Sequence, residues 1–147
     1  MTNKQKIKGS TFERFAVEVL NTLIKGSEWK RIPGSGAIGT SLDEPMLTGD
    51  ISGKVNLIER SFKAEAKVGY GGKTQFALKK EWLDKIREEA RNTFSFPFLI
   101  GKFLGAREGT KVFVVMDVED FASIINHITR LQEEIDDGQT RHHNKVS

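Results

Sequence analysis

Two short, almost wholly apolar runs, residues 96–103 (Phe-Pro-Phe-Leu-Ile-Gly-Lys-Phe) and 111–116 (Lys-Val-Phe-Val-Val-Met), restrict the folds open to this chain more than any other feature. Each is too short for a membrane span and lacks the alternation of a strand with one wet face, so each reads as a strand buried on both faces. Such strands need covering layers, and the rest of the chain supplies amphipathic helices. Phe12, Phe15, Ala16, Val19, Leu20, Leu23 and Ile24 keep helical spacing after a capping Ser10, in a helix that ends near Gly26. Leu78, Trp82, Leu83, Ile86 and Ala90 mark a second helix over residues 74–91, its outer face charged. Phe121, Ile124, Ile125, Ile128 and Leu131 form the inward stripe of a third helix, capped by Asp117. Between the first two helices stand strand candidates at residues 29–32, 50–55 and 61–68, the last two joined by a polar turn as a hairpin. Helix, three strands, helix, two strands, helix is an α/β order, a mixed sheet flanked by helices in one domain over residues 1–147. That length is enough to close a single hydrophobic core. Residues 1–9 read as a basic N-terminal arm and residues 133–147 as a polar, frayed tail. The glycine-rich stretch 33–49 reads as a loop of the length that usually serves function.

Composition removes several function classes. The chain has no cysteine, which rules out disulfides and thiolate metal sites. Its histidines, His127, His142 and His143, do not make a zinc site, and the glycines at 69, 71 and 72 are wrongly patterned for a phosphate-cradling loop. With 23 Lys plus Arg against 20 Asp plus Glu, the net charge of +3 is too small to prove a nucleic-acid partner. Its distribution says more: basic residues crowd the first 14 positions and recur from Lys63 to Arg91, while acids collect from Asp117 to Asp137, so one face can be basic. No run approaches the roughly 18 apolar residues of a membrane span. The expectation is a soluble cytoplasmic protein, in the host cytoplasm if the chain is viral, without a membrane partner.

Strand alternation in residues 61–68 puts Phe62, Ala64 and Ala66 on one face and Lys63, Glu65 and Lys67 on the other. A carboxylate and an ammonium then project side by side. Glu65 can bind a hard cation, and Lys67 can orient an attacking water or offset the charge of a phosphorane-like transition state. Taken alone, Glu-x-Lys is better explained as the wet face of an ordinary antiparallel strand. Asp50 supplies company, because a hairpin brings its carboxylate to the strand beside Glu65, as a shared divalent-ion site requires; alone, its Gly-Asp is an ordinary turn dipeptide. Glu13 has a structural reading of equal weight, since Ser10-Thr-Phe-Glu13 fits a capping box. Trp29 and Trp82 read as core or interface residues rather than base-stacking platforms.

Lys8-Gly9 with Phe12-Glu13-Arg14, then Arg31-Ile-Pro-Gly34-Ser35-Gly36, then Gly49-Asp50-Ile51, then Glu65-Ala-Lys67, run in that order between residues 8 and 103. The series resembles that of archaeal-type Holliday junction resolvases, members of the PD-(D/E)xK nuclease superfamily. The resemblance implies a restriction-endonuclease-like fold and a Mg2+-dependent endodeoxyribonuclease, with Mn2+ as substitute, that cuts four-way DNA junctions in recombination or repair. By it, Glu13, Asp50 and Glu65 are the metal-site acids, joined by the Ala66 carbonyl. Lys67 is the catalytic lysine, and Ser35 lies close to the scissile phosphate. Lys8 and Arg14 hold backbone phosphates, Arg31 and the Gly9, Gly34 and Gly36 amides face DNA, and Gln75, early in helix two, stands beside the metal site. A four-way junction offers two equivalent strands, so a symmetric homodimer is expected, reading DNA by shape and phosphate contacts. The link from Gly36 to Gly49 is longer than the resemblance leads one to expect and carries two further acids, Asp43 and Glu44. Two other readings stay open: a restriction- or repair-type PD-(D/E)xK endonuclease on duplex or flapped DNA, and a non-catalytic DNA-binding module in which Asp50, Glu65 and Lys67 are dispensable.

Overall fold

The computed structural model describes residues 3–32, 50–68, 71–103 and 112–146, with side chains described between residues 11 and 143 of those ranges. Along the chain run α1 (Asn3–Leu23), β1 (Ser27–Arg31), β2 (Ile51–Val55), β3 (Ser61–Val68), α2 (Lys80–Asn92), β4 (Ser95–Lys102), β5 (Phe113–Val115) and α3 (Val118–Val146). The strands form one sheet in the order β1-β2-β3-β4-β5. Its neighbours pair antiparallel except β3 and β4, which are parallel and joined through α2, as a parallel pair requires. This is the mixed sheet flanked by helices that the element order implies. The sheet, α1 and α2 belong to one compact unit, Met1–Asp117, and α3 to a second, Val118–Ser147. No described helix is long and apolar enough to cross a membrane.

α1 packs on β1 and β3, and its Phe12, Ala16 and Leu20 are buried. It also closes the open edge of the sheet: Asn21 Nδ2 donates to the Trp29 carbonyl at 3.0 Å, and its Oδ1 accepts from the Trp29 N–H at 2.8 Å. The backbone groups that an edge strand leaves unpaired are thereby satisfied at that residue. Trp29 lies across Gly53, where a Cβ would overlap the indole, and reaches Phe62 and Phe98 at ring-centroid distances of 5.6 and 5.7 Å. Phe62 continues the aromatic layer to Phe96 at 5.3 Å.

α2 packs on β4 and β3 and buries Trp82, Ile86 and Ala90. β3 therefore touches both helices and is buried on both faces, with Lys63 and Glu65 enclosed as fully as Phe62 and Ala64. β4 is buried from Ser95 to Gly101, as its apolar run demands. β5 departs from expectation: it lies at the end of the sheet, and Val114 is half exposed rather than covered on both faces.

Other element boundaries move as well. α1 starts at Asn3, so residues 3–9 are helix rather than an arm. α2 starts at Lys80, because Phe76 is drawn out of the helical register into aromatic contacts with Phe113 and Trp82, at 4.9 and 6.2 Å. α3 runs on to Val146, through the polar stretch read as a frayed tail. Phe15, Leu23, Leu78, Phe121, Ile125 and Ile128, assigned inward by helical spacing, are exposed. The loop of residues 33–49 lies outside the described residues.

Candidate active site

The ladder between β2 and β3 stops at the pair Ile51–Ala64, after which only Asp50 continues it: its N–H donates to the Ala64 carbonyl at 3.1 Å. Next along the same edge of β3 is Ala66, and there the aspartate side chain replaces the missing strand, its Oδ2 accepting from the Ala66 N–H at 2.8 Å. The N–H and C=O of one strand residue leave the same edge, so the Ala66 carbonyl also faces the Asp50 side. The Asp50 backbone is held too, its carbonyl accepting from the Ile32 N–H at 3.0 Å.

Glu65, one residue before Ala66, is only 3% exposed. Its Oε1 lies 3.1 Å from Lys67 Nζ, and that ammonium stands 4.9 Å from the ring centroid of Trp82. Lys67 is thus held between a carboxylate and an indole face. Lys85 of α2 approaches the other oxygen, Oε2, at 3.8 Å and Oε1 of Glu89 at 3.9 Å. Lys63, from the same face of β3, is buried beneath them; burial pushes its ammonium pKa down, and Glu89 opposes the shift.

Glu13 approaches the group from α1. Its Oε2 accepts from Arg31 Nε at 3.0 Å, with Arg31 Nη2 also at 3.0 Å. The capping-box reading fails because Ser10 lies well inside α1, where there is no helix start to cap.

Electrostatics bind these side chains into one site. Burial, and then the neighbouring Asp50, push the Glu65 carboxyl pKa up against the pull of Lys67 and Lys85. Burial and Asp50 raise Glu13 too, with Arg31 opposing and Glu65 adding to the rise. Glu89 is raised by burial, and Glu65 and Asp50 add to that while Lys85 and Lys63 oppose it. Four carboxylates sharing one field are costly unless a cation joins them. Two buried oxygens, Glu65 Oε2 and Glu89 Oε2, accept no hydrogen bond.

Such a donor set suits a hard divalent cation. Among the described residues, no three acidic or histidine side chains stand close enough together to enclose an ion in this arrangement. Two carboxylates, Asp50 and Glu65, with the Ala66 carbonyl and waters completing the shell, nevertheless match what Mg2+ ordinarily takes from a protein.

The structure therefore brings together Glu13, Asp50, Glu65, Ala66, Lys67 and Arg31, all named from sequence. Arg14 is exposed on α1, and Lys8 and Gly9 lie in the same helix, while Gly34, Ser35 and Gly36 fall outside the described residues. Gln75 is not in helix two; it precedes α2 and lines an open cleft with Phe76, Phe103 and Phe113. Sequence reasoning missed Lys63, Lys85 and Glu89. The last two had a signal: Trp82, Lys85, Ile86, Glu89 and Ala90 are spaced to share one face of α2.

A family model described as "Phage putative PDDEXK endonuclease" matches residues 4–145. The chain belongs to this family. Membership makes it a PD-(D/E)xK-type endonuclease, as the motif series implied. No curated protein matches the chain. Among solved structures it is similar to Hjc of Archaeoglobus fulgidus, a Holliday junction resolvase from an archaeal hyperthermophile, at 19% identity over 75% of this chain and 89% of that one, with a TM-score of 0.47.

Proposed function

We propose that this PDDEXK endonuclease hydrolyses DNA phosphodiesters with Mg2+, or Mn2+ in its place, held by Asp50, Glu65 and the Ala66 carbonyl. The observation that carries the reading is the bond from Asp50 Oδ2 to the Ala66 N–H, which fixes an aspartate beside a strand whose Glu65 and Lys67 are already paired. The bound ion would lower the pKa of water and offset phosphate charge. The chain's own groups do the rest. Lys67, steadied by Glu65 and Trp82, donates a hydrogen bond to the attacking water, in line with the leaving group, or to a non-bridging phosphate oxygen. Arg31 keeps Glu13 oriented at the margin of the site, where its second oxygen can take a water. Lys8, Arg14 and the amides of Gly9, Gly34 and Gly36 are proposed phosphate contacts, with Ser35 at the scissile phosphate and Gln75 near the DNA.

The substrate we propose is branched DNA, above all the four-way junction, cut by a homodimer in the cytoplasm, for a phage enzyme that of its host. Support comes from Lys8-Gly9 and Ser35, which lie outside the generic nuclease motif yet match the resolvase series. A pair of active sites related by a two-fold axis suits two equivalent strands.

Cleavage of a labelled four-way junction, beside a linear duplex with the same arms, tests the reading with wild type, Asp50→Asn and Lys67→Ala. Paired, symmetric nicks near the branch by wild type alone, dependent on Mg2+, are expected. Equal cutting of both substrates removes junction selectivity, and tight binding without cutting in any divalent ion replaces the nuclease with a binding module.

A further inference from the structure

The mechanism above leaves two features of α2 unused. Lys85 sits between two carboxylates, 3.8 Å from Glu65 Oε2 and 3.9 Å from Glu89 Oε1, both longer than a charge-assisted hydrogen bond of about 2.7 to 2.9 Å. Glu65 Oε2 and Glu89 Oε2 are both buried and accept no hydrogen bond. The Glu65 side chain is 5% exposed and that of Glu89 13%, whereas Lys85 is 53% exposed on a flexible stem. Two enclosed carboxylates therefore converge on a cation that neither grips and that has an open path to solvent.

Resting on the proposed nuclease reading, we infer that Glu89 is a further ligand of the divalent cation, directly or through a water, and that Lys85 is a place-holding cation that withdraws when the ion binds. The argument is one of charge and room. With an ion at Asp50 and Glu65, the orphaned Glu65 oxygen gains a partner, and Lys85 is then a repelled like charge. Being half exposed, it can move outward at little cost and meet a DNA phosphate. Glu89 cannot follow it as freely, because its side chain is 13% exposed against 53% for Lys85. A half-buried glutamate in a purely structural ion pair with Lys85 would give the opposite result, since losing Lys85 would then weaken the site rather than free it.

The test is Mn2+ binding, read by the loss of free-ion electron paramagnetic resonance signal and by calorimetry, in wild type, Asp50→Asn, Glu89→Gln and Lys85→Met. Glu89→Gln is expected to weaken Mn2+ binding about tenfold, the range for removing an outer ligand partner. Lys85→Met is expected to strengthen it several-fold. Melting in chelator checks that each variant is folded, and the opposite signs keep the inference testable should one variant fail to fold. Unchanged affinity in Glu89→Gln, or weaker binding in Lys85→Met, overturns the inference while leaving the nuclease reading intact. Wild type that binds no Mn2+, or Asp50→Asn that binds as tightly as wild type, overturns both.

Discussion

Replacing Asp50 by Asn should make the protein more stable while destroying its activity. The aspartate side chain accepts the Ala66 N–H at 2.8 Å, and an asparagine carbonyl oxygen can accept the same bond. Its charge is another matter, since Asp50 pushes the Glu13, Glu65 and Glu89 carboxyls upward. Two carboxylates about 6 to 8 Å apart repel by roughly 2 to 3 kcal/mol at an effective dielectric near 20. Partial solvent screening and the weaker bond from a neutral acceptor offset part of that, leaving a gain of about 1 kcal/mol. For a chain of this size the melting temperature should rise by about 2 to 4 °C in chelator at pH 7.5. The sign with pH is fixed by the raised carboxyls. A carboxyl whose folded pKa exceeds its unfolded value contributes stability that is complete below its ordinary value of 4.5 and is lost as pH rises through the folded pKa. Wild type is thus penalised at neutral pH, and the advantage of Asp50→Asn should shrink as pH falls toward 4.5. Saturating Mg2+, at about 100 times its dissociation constant, would add near 2.7 kcal/mol to wild type. The order of melting should therefore invert when the ion is added. A variant that melts below wild type in chelator, or whose advantage is undiminished at low pH, refutes the picture of mutually repelling carboxylates.

Arg31→Gln removes both contacts at 3.0 Å from Glu13 Oε2, and since Arg31 holds the Glu13 pKa down, the acid limb of the cleavage profile should move to higher pH; an unmoved limb takes Glu13 out of the reaction. Asn21→Ala strips the edge strand of two hydrogen bonds and should cost about 2 kcal/mol in urea unfolding, with little change in Mn2+ affinity. Leu57 occupies the β2–β3 turn at φ +70°, exposed and in a backbone region that favours glycine, so Leu57→Gly should stabilise by about 0.5 to 1 kcal/mol; a loss of stability would show that the leucine side chain has a use.

The catalytic strand was legible because its period of two survives in any environment: Lys63, Glu65 and Lys67 do share a face. What that face meets was not legible. An alternating strand reads as half wet, and only the parallel pairing of β3 with β4, which brings α2 across, turns the polar face inward and encloses Lys63. The pairing is set by residues far apart in the chain, so local patterning cannot give it. The capping-box alternative for Glu13 fails for a related reason. A capping box is defined by where a helix begins, and α1 begins at Asn3, far enough upstream to free the glutamate for Arg31.

Lys85 and Glu89 show the same failure with a sharper lesson. Helical spacing sets them on the face of Trp82, Ile86 and Ala90, and the structure encloses Glu89 there while Lys85 stays half exposed at the margin. Charged residues almost never enter a packed face without partners. An acid and a lysine at buried spacing are therefore stronger evidence of a site than either is on an outer face. Here Glu65, Glu89 and Lys63 are carried into the contact between β3 and α2, with Lys85 at its rim, where apolar residues of similar volume would pack at lower cost. On the proposed nuclease reading, a bound divalent cation offsets that cost. The Glu65 and Glu89 oxygens that accept no hydrogen bond are the atoms such an ion would meet first.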